Sequence, residues 1–230
     1  LGMPGTVPQQ YYRYFERFGV ALRPGLLIFG MFAGNDLVDA ETFDRWVAAG
    51  SPGNYDVWRF FEGKVPKPNN SFPKNIQVLL LAESVKKSLS QSYSSMTIET
   101  ADGESMQLAP AIYRRALESN DPADVGFGSV VQAALDARNL ARDNGSEFLA
   151  VLFPTKEEIY LPLHGEPFPS LTLRLKETLG DERITCLDLT ERFRELAAQG
   201  QKLYFEIDGH PNELGNRVIA EVLADHLRKN

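Results

Sequence analysis

The sequence predicts a three-layer α/β/α fold with a mainly parallel sheet. Three observations indicate this class. Helical and extended patterns alternate along the chain, short apolar runs of strand length recur between amphipathic segments, and polar residues follow the ends of two of these runs. With 230 residues, of which 43% are hydrophobic, the chain is long enough to bury a sizeable core, and we expect one domain over residues 1–230.

The elements follow in a consistent order along the chain. A helix is predicted from Pro8 to Phe18, ending at Gly19. The apolar run from Pro24 to Phe32 is too short for a free-standing helix and predicts a strand buried on both faces. The same reasoning predicts helices over residues 76–90, 111–119, 123–142, 170–179, 190–198 and 211–228, and strands over residues 146–153 and 183–187.

Residues 50–110 interrupt this alternation. Residues 50–75 are rich in Pro, Gly and Asn, which is typical of a surface excursion. Residues 93–108 contain two short strand patterns around Asp102-Gly103, which predicts a β-hairpin. We therefore expect an insertion here. The sequence leaves open whether it forms a cap over the strand ends or has no role in the site.

Composition excludes several functions. The formal net charge of −7 argues against a nucleic-acid interface, because neutralising phosphates requires clustered Lys and Arg. Cys186 is the single cysteine, which excludes an internal disulfide and a cysteine-based zinc site. No metal or cofactor is expected. No apolar run approaches the roughly 18 residues that a membrane span requires, so no span is expected in this chain.

Asp208 and His210 are the candidate catalytic pair. They place a carboxylate two residues before an imidazole, where an apolar run meets the last amphipathic segment. A carboxylate that holds the Nδ1 proton of a histidine leaves Nε2 free to act as a general base. The same stretch could instead only cap the helix that follows, since Asp, Asn and Pro favour helix N-termini.

A second polar group follows the apolar run near the start of the chain. Gly34, Asn35 and Asp36 come directly after this predicted strand. In open parallel sheets ligands bind beyond the carboxyl ends of the strands, where Gly permits close approach and Asn offers an amide. An ordinary Gly-Asn-Asp turn is the alternative. Together with Asp208 and His210, however, this second strand end favours a site.

These blocks resemble the SGNH hydrolases, also called the GDSL-like esterases. Gly34-Asn35-Asp36 is similar to the third block of that family, and the segment from Asp208 to Asn212 is similar to the last. The opening residues up to Gln10 are similar to the second block. The resemblance implies a serine-type ester hydrolase or acetyl esterase acting on a small-molecule, lipid or glycan ester, without a cofactor. It also implies an oxyanion hole containing Gly5 and Asn35.

Two features depart from the family pattern. One residue, rather than two, separates Asp208 from His210, a spacing also found in related polysaccharide O-acetyltransferases. The serine block, which follows a central strand in the family, is absent. The resemblance therefore implies that a segment ahead of Leu1 completes the fold and supplies the serine. That segment could also carry a signal peptide or anchor, and a secreted, periplasmic or membrane-anchored location is favoured.

Ser129 comes nearest to an internal nucleophile. The segment from Gly126 to Val130 lacks the second glycine of a nucleophile elbow and has a helical pattern, which predicts an ordinary helix residue. Lys156 and Tyr160 follow another strand end. Related envelope acyl-transfer proteins carry a Pro-x-Lys segment near the site, which makes these two residues candidate substrate contacts.

Three other functions stay open. The first is a polysaccharide O-acetyltransferase. The second is an inactive SGNH-like module that binds a glycan through Trp46, Tyr55 and Trp58. The third is a metal-dependent hydrolase with Asp208 and His210 as ligands, although the sequence offers no His-rich or Glu-rich set to complete such a site.

Overall fold

Strands and helices alternate in the computed structural model, which describes residues 5–60, 95–100, 103–110 and 126–229. In chain order the elements are α1 (Pro8–Tyr14), β1 (Leu26–Phe32), α2 (Asp36–Ala48), α3 (Tyr55–Phe60), β2 (Met96–Glu99), β3 (Ser105–Leu108), α4 (Phe127–Asp143), β4 (Glu147–Phe153), α5 (Lys156–Tyr160), α6 (Leu171–Asp181), β5 (Cys186–Asp188), α7 (Thr190–Ala198) and α8 (Glu213–Lys229). A π-helical turn over Phe15–Gly19 and a 3-10 turn over Val20–Leu22 continue α1.

The central sheet is parallel, with the strand order β1-β4-β5 among the described residues. The register pairs Leu26 with Glu147 at one end and Phe32 with Phe153 at the other. The carboxyl ends of β1 and β4 therefore lie side by side, and the polar segments that follow these strands start from the same edge of the sheet. This is the edge at which ligands bind in open α/β sheets.

The sheet separates two apolar cores because alternate side chains of β4 point to opposite faces. Ala150 and Leu152 pack in a core with residues of α2, α4 and α6. Leu149 and Val151 pack in a second core with the β2–β3 hairpin, α5, α7 and α8. The predicted three-layer α/β/α fold is confirmed.

β1 differs from its prediction in one respect. Its burial is partial, and the side chain of Ile28 is 41% exposed, so the expectation of burial on both faces is wrong for the described residues. β1 pairs with β4 along one edge, and no other strand in the described ranges pairs with its second edge. The expected additional strand supplied from ahead of Leu1 stays a prediction.

The predicted hairpin is present, since β2 and β3 pair in antiparallel register. Gln107 in β3 also donates its backbone N–H to the carbonyl of Glu206 at 2.9 Å, which attaches the hairpin to the segment before Asp208. The helices predicted over residues 76–90 and 111–119 lie outside the described residues, as does most of the insertion. No helix in the described part of the chain is both long and apolar enough to cross a bilayer.

Candidate active site

The segment between α7 and α8 forms a closed loop that carries Asp208 and His210. Tyr204 and Pro211 pair in an isolated antiparallel bridge at the base of the loop. Above this bridge, Phe205 donates its backbone N–H to the carbonyl of His210 at 3.1 Å. These bonds bring the two arms of the loop together and hold the catalytic candidates at its tip.

Asp208 and His210 contact each other directly. A carboxylate oxygen of Asp208 is hydrogen-bonded to Nδ1 of His210, and the same oxygen accepts the backbone N–H of His210 at 2.8 Å. These bonds from His210 hold the pKa of the Asp208 carboxyl below its usual range. The contact is the one expected from the sequence. A carboxylate at Nδ1 favours the tautomer that leaves the Nε2 lone pair free.

Asn212, rather than Asp208, caps helix α8. Asn212 accepts the backbone N–H of Gly215 through Oδ1 at 3.0 Å, and its amide nitrogen donates to the carbonyls of Lys202 and Tyr204. The expected cap is therefore present in this stretch at Asn212, whereas the Asp208 carboxylate bonds to His210 and does not cap α8.

The carboxyl end of β1 reaches this loop through Phe32. The ring of Phe32 stacks on the imidazole of His210, with 6.3 Å between ring centroids and 25° between planes. A Cβ atom on Gly34 would lie 2.4 Å from the Phe32 ring, so only glycine allows Phe32 this position. Phe32 stands three residues before Asn35, and the contact therefore brings the end of β1 and the Asp208–His210 loop together.

Asn35 and Gly5 are linked through two side chains that the sequence did not single out. The Asn35 amide donates to Asp39 Oδ2 at 3.1 Å, and Arg59 Nη1 lies 3.6 Å from the same oxygen. Arg59 also donates to the carbonyl of Gly5 at 3.1 Å, and Gly5 has a positive φ of 71°. Asp39 stands one helical turn after Asn35, which was a usable signal, whereas nothing in the sequence pointed to Arg59.

Residues 115–230 match the family described as the SGNH hydrolase-like domain of acetyltransferase AlgX. The chain belongs to this SGNH-like family. The matched residues include Lys156, Asp208 and His210, whereas Gly5 and Asn35 precede them. No curated protein and no solved structure matches the chain.

Ser129, which comes nearest to an internal nucleophile in the sequence, is not bonded to His210. Ser129 is in the first turn of α4, as expected, and its hydroxyl donates to the carboxylate of Asp44. In the ranges that the structure covers, no hydroxyl group bonds to His210. Burial raises the pKa of the Cys186 thiol to about 11, so this thiol stays protonated at neutral pH and is a poor nucleophile.

Lys156 and Tyr160 are buried, which corrects their assignment as substrate contacts. Lys156 is 2% exposed and donates from Nζ to three backbone carbonyls of the loop. Tyr160 donates its hydroxyl to the carbonyl of Gln201 and accepts the backbone N–H of Leu203, both at 2.9 Å. Both side chains therefore support the segment that carries the candidate pair.

Two of the three aromatic residues that the sequence offered for glycan binding, Trp46 and Tyr55, pack in one ring cluster. Tyr55 and Trp58 are buried, and the rings of Trp46 and Tyr55 pack against Phe43 with centroid distances of 5.3 and 4.9 Å. The burial of Tyr55 and Trp58 argues against an open sugar-binding platform built from these rings. In the described residues, no group of three or more His, Cys, Asp or Glu side chains is arranged to hold a metal ion.

Asp36, the third residue of the Gly34 block, supports the turn rather than the cleft. It is 3% exposed, accepts the backbone N–H of Phe32 at 2.8 Å and lies 3.0 Å from the hydroxyl of Tyr11. The Tyr11 hydroxyl also lies 3.0 Å from the carbonyl of Thr6, next to Gly5. Burial raises the pKa of Asp36 to about 7. Asp36 thus links the end of β1 to the segment containing Gly5.

Asp36→Asn is expected to change how stability depends on pH. The pKa of Asp36 is higher in the folded protein than its ordinary value of 3.8, so its contribution to stability is complete below that value and is lost as pH rises through about 7. Between about pH 4 and pH 8 the wild type should lose up to about 4 kcal/mol relative to Asp36→Asn.

Guanidinium unfolding of both proteins across this pH range measures the difference. Asp143→Asn is the matched control because Asp143 is exposed on the surface of α4. Parallel pH profiles for the wild type and Asp36→Asn would contradict the assignment of a raised pKa to Asp36.

Proposed function

We propose that this domain transfers an acetyl group from a carboxylic ester to a hydroxyl group, with His210 as general base and Asp208 as the residue that orients it. One observation carries the proposal. The Asp208 carboxylate is hydrogen-bonded to Nδ1 of His210, and the imidazole side chain is 74% exposed. Nε2 is therefore accessible to a reacting hydroxyl at the carboxyl end of β1.

The chemistry would follow the two-step course of serine acyl transfer. Nε2 of His210 accepts the proton of a serine hydroxyl as its oxygen attacks the ester carbonyl. The bond from the carbonyl carbon to the donor alcohol then breaks, and His210 returns the proton to that alcohol. In the second step His210 deprotonates the acceptor hydroxyl, which attacks the acyl-enzyme. The bond to the serine oxygen breaks, and the proton returns to serine.

The oxyanion formed in each step would be stabilised by Gly5 and Asn35. The side-chain amide of Asn35 carries two hydrogens, and Asp39 accepts one of them, which leaves the other for the oxyanion. The backbone N–H of Gly5 would be the second donor. Loss of a single donor of this kind typically costs about 2.7–4 kcal/mol of transition-state stabilisation.

The serine of this proposal is assigned by resemblance, to a block ahead of Gly5. The hydroxyl of Ser129 is bonded to Asp44 instead of His210, which supports a nucleophile from elsewhere in the protein. A strand from that block would pair with the edge of β1 that no described strand occupies, in keeping with the exposure of Ile28.

A carbohydrate hydroxyl is the acceptor that we favour. The family description names an acetyltransferase, and the short spacing between Asp208 and His210 is the one seen in related polysaccharide O-acetyltransferases. Hydrolysis would use the same groups with water as the acceptor. The exposed face of His210 has room for either acceptor.

The test measures donor cleavage and acceptor modification together. The protein, with any residues that its gene encodes ahead of Leu1, is incubated with 4-nitrophenyl acetate in the presence and absence of soluble oligosaccharides. We expect nitrophenolate release that increases with the acceptor, and an acetylated oligosaccharide detectable by mass spectrometry. Nitrophenolate release without an acetylated oligosaccharide would indicate an esterase and contradict acetyl transfer. Absence of both would contradict the catalytic proposal.

A further inference from the structure

Lys156 is a cation enclosed by the protein on the inner side of the candidate loop. Lys156 is the first residue of α5, just after β4. Thr155 caps this helix: its hydroxyl accepts the backbone N–H of Glu158, and its backbone N–H donates to the Glu158 carboxylate. An ammonium group removed from water is costly unless polar partners replace its hydration. The partners of Lys156 are carbonyl oxygens, at 3.2 Å for Phe205, 3.1 Å for Glu206 and 3.1 Å for Asp208.

The convergence of three carbonyl oxygens on one point suits a lysine side chain. An ammonium nitrogen has three donors on a single atom, which lets it bond three carbonyls that converge on one point. All three carbonyls belong to a stretch of four residues that ends at Asp208. The carbonyl of Asp208 is itself one of the acceptors, so the bond constrains the backbone from which the catalytic carboxylate extends.

Within the part of the chain that the structure describes, the tip of the loop has few other attachments. The side chains of Phe205, Ile207 and His210 are exposed, and the ring contact described at the tip is the stacking of Phe32 on His210. The loop base is held by the Tyr204–Pro211 bridge, and the hairpin bonds to the carbonyl of Glu206. Beyond these contacts, the Asp208 backbone is held by Lys156.

The charges around Lys156 fit a cation in this position. Burial lowers the pKa of Lys156, while the nearby carboxylates of Glu157, Asp208 and Glu206 oppose this change. Asp208 therefore interacts with the ammonium group in two ways: its backbone carbonyl accepts a hydrogen bond, and its carboxylate attracts the positive charge.

We infer that Lys156 is a positioning residue for the Asp208–His210 pair, because its ammonium group gathers the carbonyls of Phe205, Glu206 and Asp208 and so sets the loop conformation in which Asp208 reaches Nδ1. Lys156 is buried on the inner side of the loop and acts through Asp208 rather than on substrate. The kinetic consequence rests on the function proposed above, whereas the structural consequence does not.

Lys156→Met tests the inference, because methionine keeps an apolar stem and removes the three donors. Lys156→Gln retains a shorter donor group and is the intermediate variant. Lys176→Met is the matched control, since Lys176 is a half-exposed lysine of α6 paired with Asp188. For Lys156→Met we expect kcat for 4-nitrophenyl acetate to fall by about 10–100-fold with KM nearly unchanged, because small misplacement of a catalytic group has effects of this size. Lys156→Gln should lie between, and Lys176→Met should match the wild type.

A spectroscopic measurement separates positioning from general damage. The Nδ1 proton of His210, bonded to Asp208, should give a low-field proton resonance in the wild type that Lys156→Met loses while the remaining amide spectrum is preserved. A Lys156→Met protein that keeps both kcat and this resonance overturns the inference. If the wild type cleaves no ester, the proposed function fails, and the resonance still decides the role of Lys156.

The native protein provides a further measurement should Lys156→Met not fold. The ammonium protons of Lys156 should exchange slowly with water and show scalar coupling across hydrogen bonds to the three carbonyl carbons. A rapidly exchanging Lys156 ammonium group without these couplings would overturn the inference without any substitution.

Discussion

His210→Ala is expected to lower turnover of 4-nitrophenyl acetate by about 10²–10⁴-fold, the usual contribution of a general base, with a smaller change in KM. The reason lies in the exposed Nε2 atom. With Nδ1 bonded to Asp208, Nε2 is the position on the ring that can accept a proton from a nucleophile. Alanine removes this acceptor and leaves the Phe32 ring without its stacking partner.

His164→Ala is the matched control for this experiment. His164 lies in the exposed 3-10 turn Pro162–His164, its backbone N–H donates to the carbonyl of Leu161, and no hydrogen bond described in the structure joins it to the loop that carries Asp208. We expect it to retain wild-type turnover, measured under the same conditions by nitrophenolate release. If His210→Ala stays within about two-fold of wild type, His210 is not the base that the proposal requires.

Gly215→Ala is expected to lower the free energy of unfolding by about 1–3 kcal/mol or more, the range typical of overpacked cores. Gly215 lies in the first turn of α8 against the base of the loop. An added Cβ would stand 2.2 Å from the carbonyl oxygen of Leu203 and 2.9 Å from Cβ of Pro211. A backbone carbonyl cannot rotate away as a side chain can, so α8 or the loop must shift.

Gly180→Ala supplies a control of the same chemical type. Gly180 is also helical, in α6, but no heavy atom lies within 4 Å of the place that an added Cβ would take, so alanine should raise stability by roughly 0.5–1 kcal/mol. Guanidinium unfolding midpoints of the two variants provide the comparison. Equal stability of Gly215→Ala and Gly180→Ala would show that α8 is not packed as closely on Leu203 as described.

The loop base connects this second prediction to the site. Pro211 is paired with Tyr204, and Asn212 donates its backbone N–H to the carbonyl of Leu203 at 3.0 Å. A shift of α8 therefore moves both arms of the segment that carries His210. We expect Gly215→Ala to reduce turnover as well as stability, whereas Gly180→Ala should reduce neither.

Local sequence patterns were sufficient to predict most of the helices and strands. The apolar run of β1, the hairpin around Gly103 and the helix Thr190–Ala198 were predicted because their signals lie within a few residues: periodicity, turn residues and strand length. The pairing of Asp208 with His210 was predictable for the same reason, since they stand two positions apart and a short turn brings their side chains together.

Contacts between distant segments decided the rest. The burial of Lys156, the link from Gly5 through Arg59 to Asp39, and the packing of Tyr55 inside an aromatic cluster each join residues far apart in the chain. The sequence, through the family resemblance, named candidate acyl-transfer groups, and it placed Asn35 correctly at the end of β1, whereas Asp208 and His210 stand on a loop closed by an isolated bridge rather than at a strand end. Only the tertiary structure decided which of them are exposed to substrate and which are buried supports, because burial depends on the packing of segments whose proximity no local pattern records.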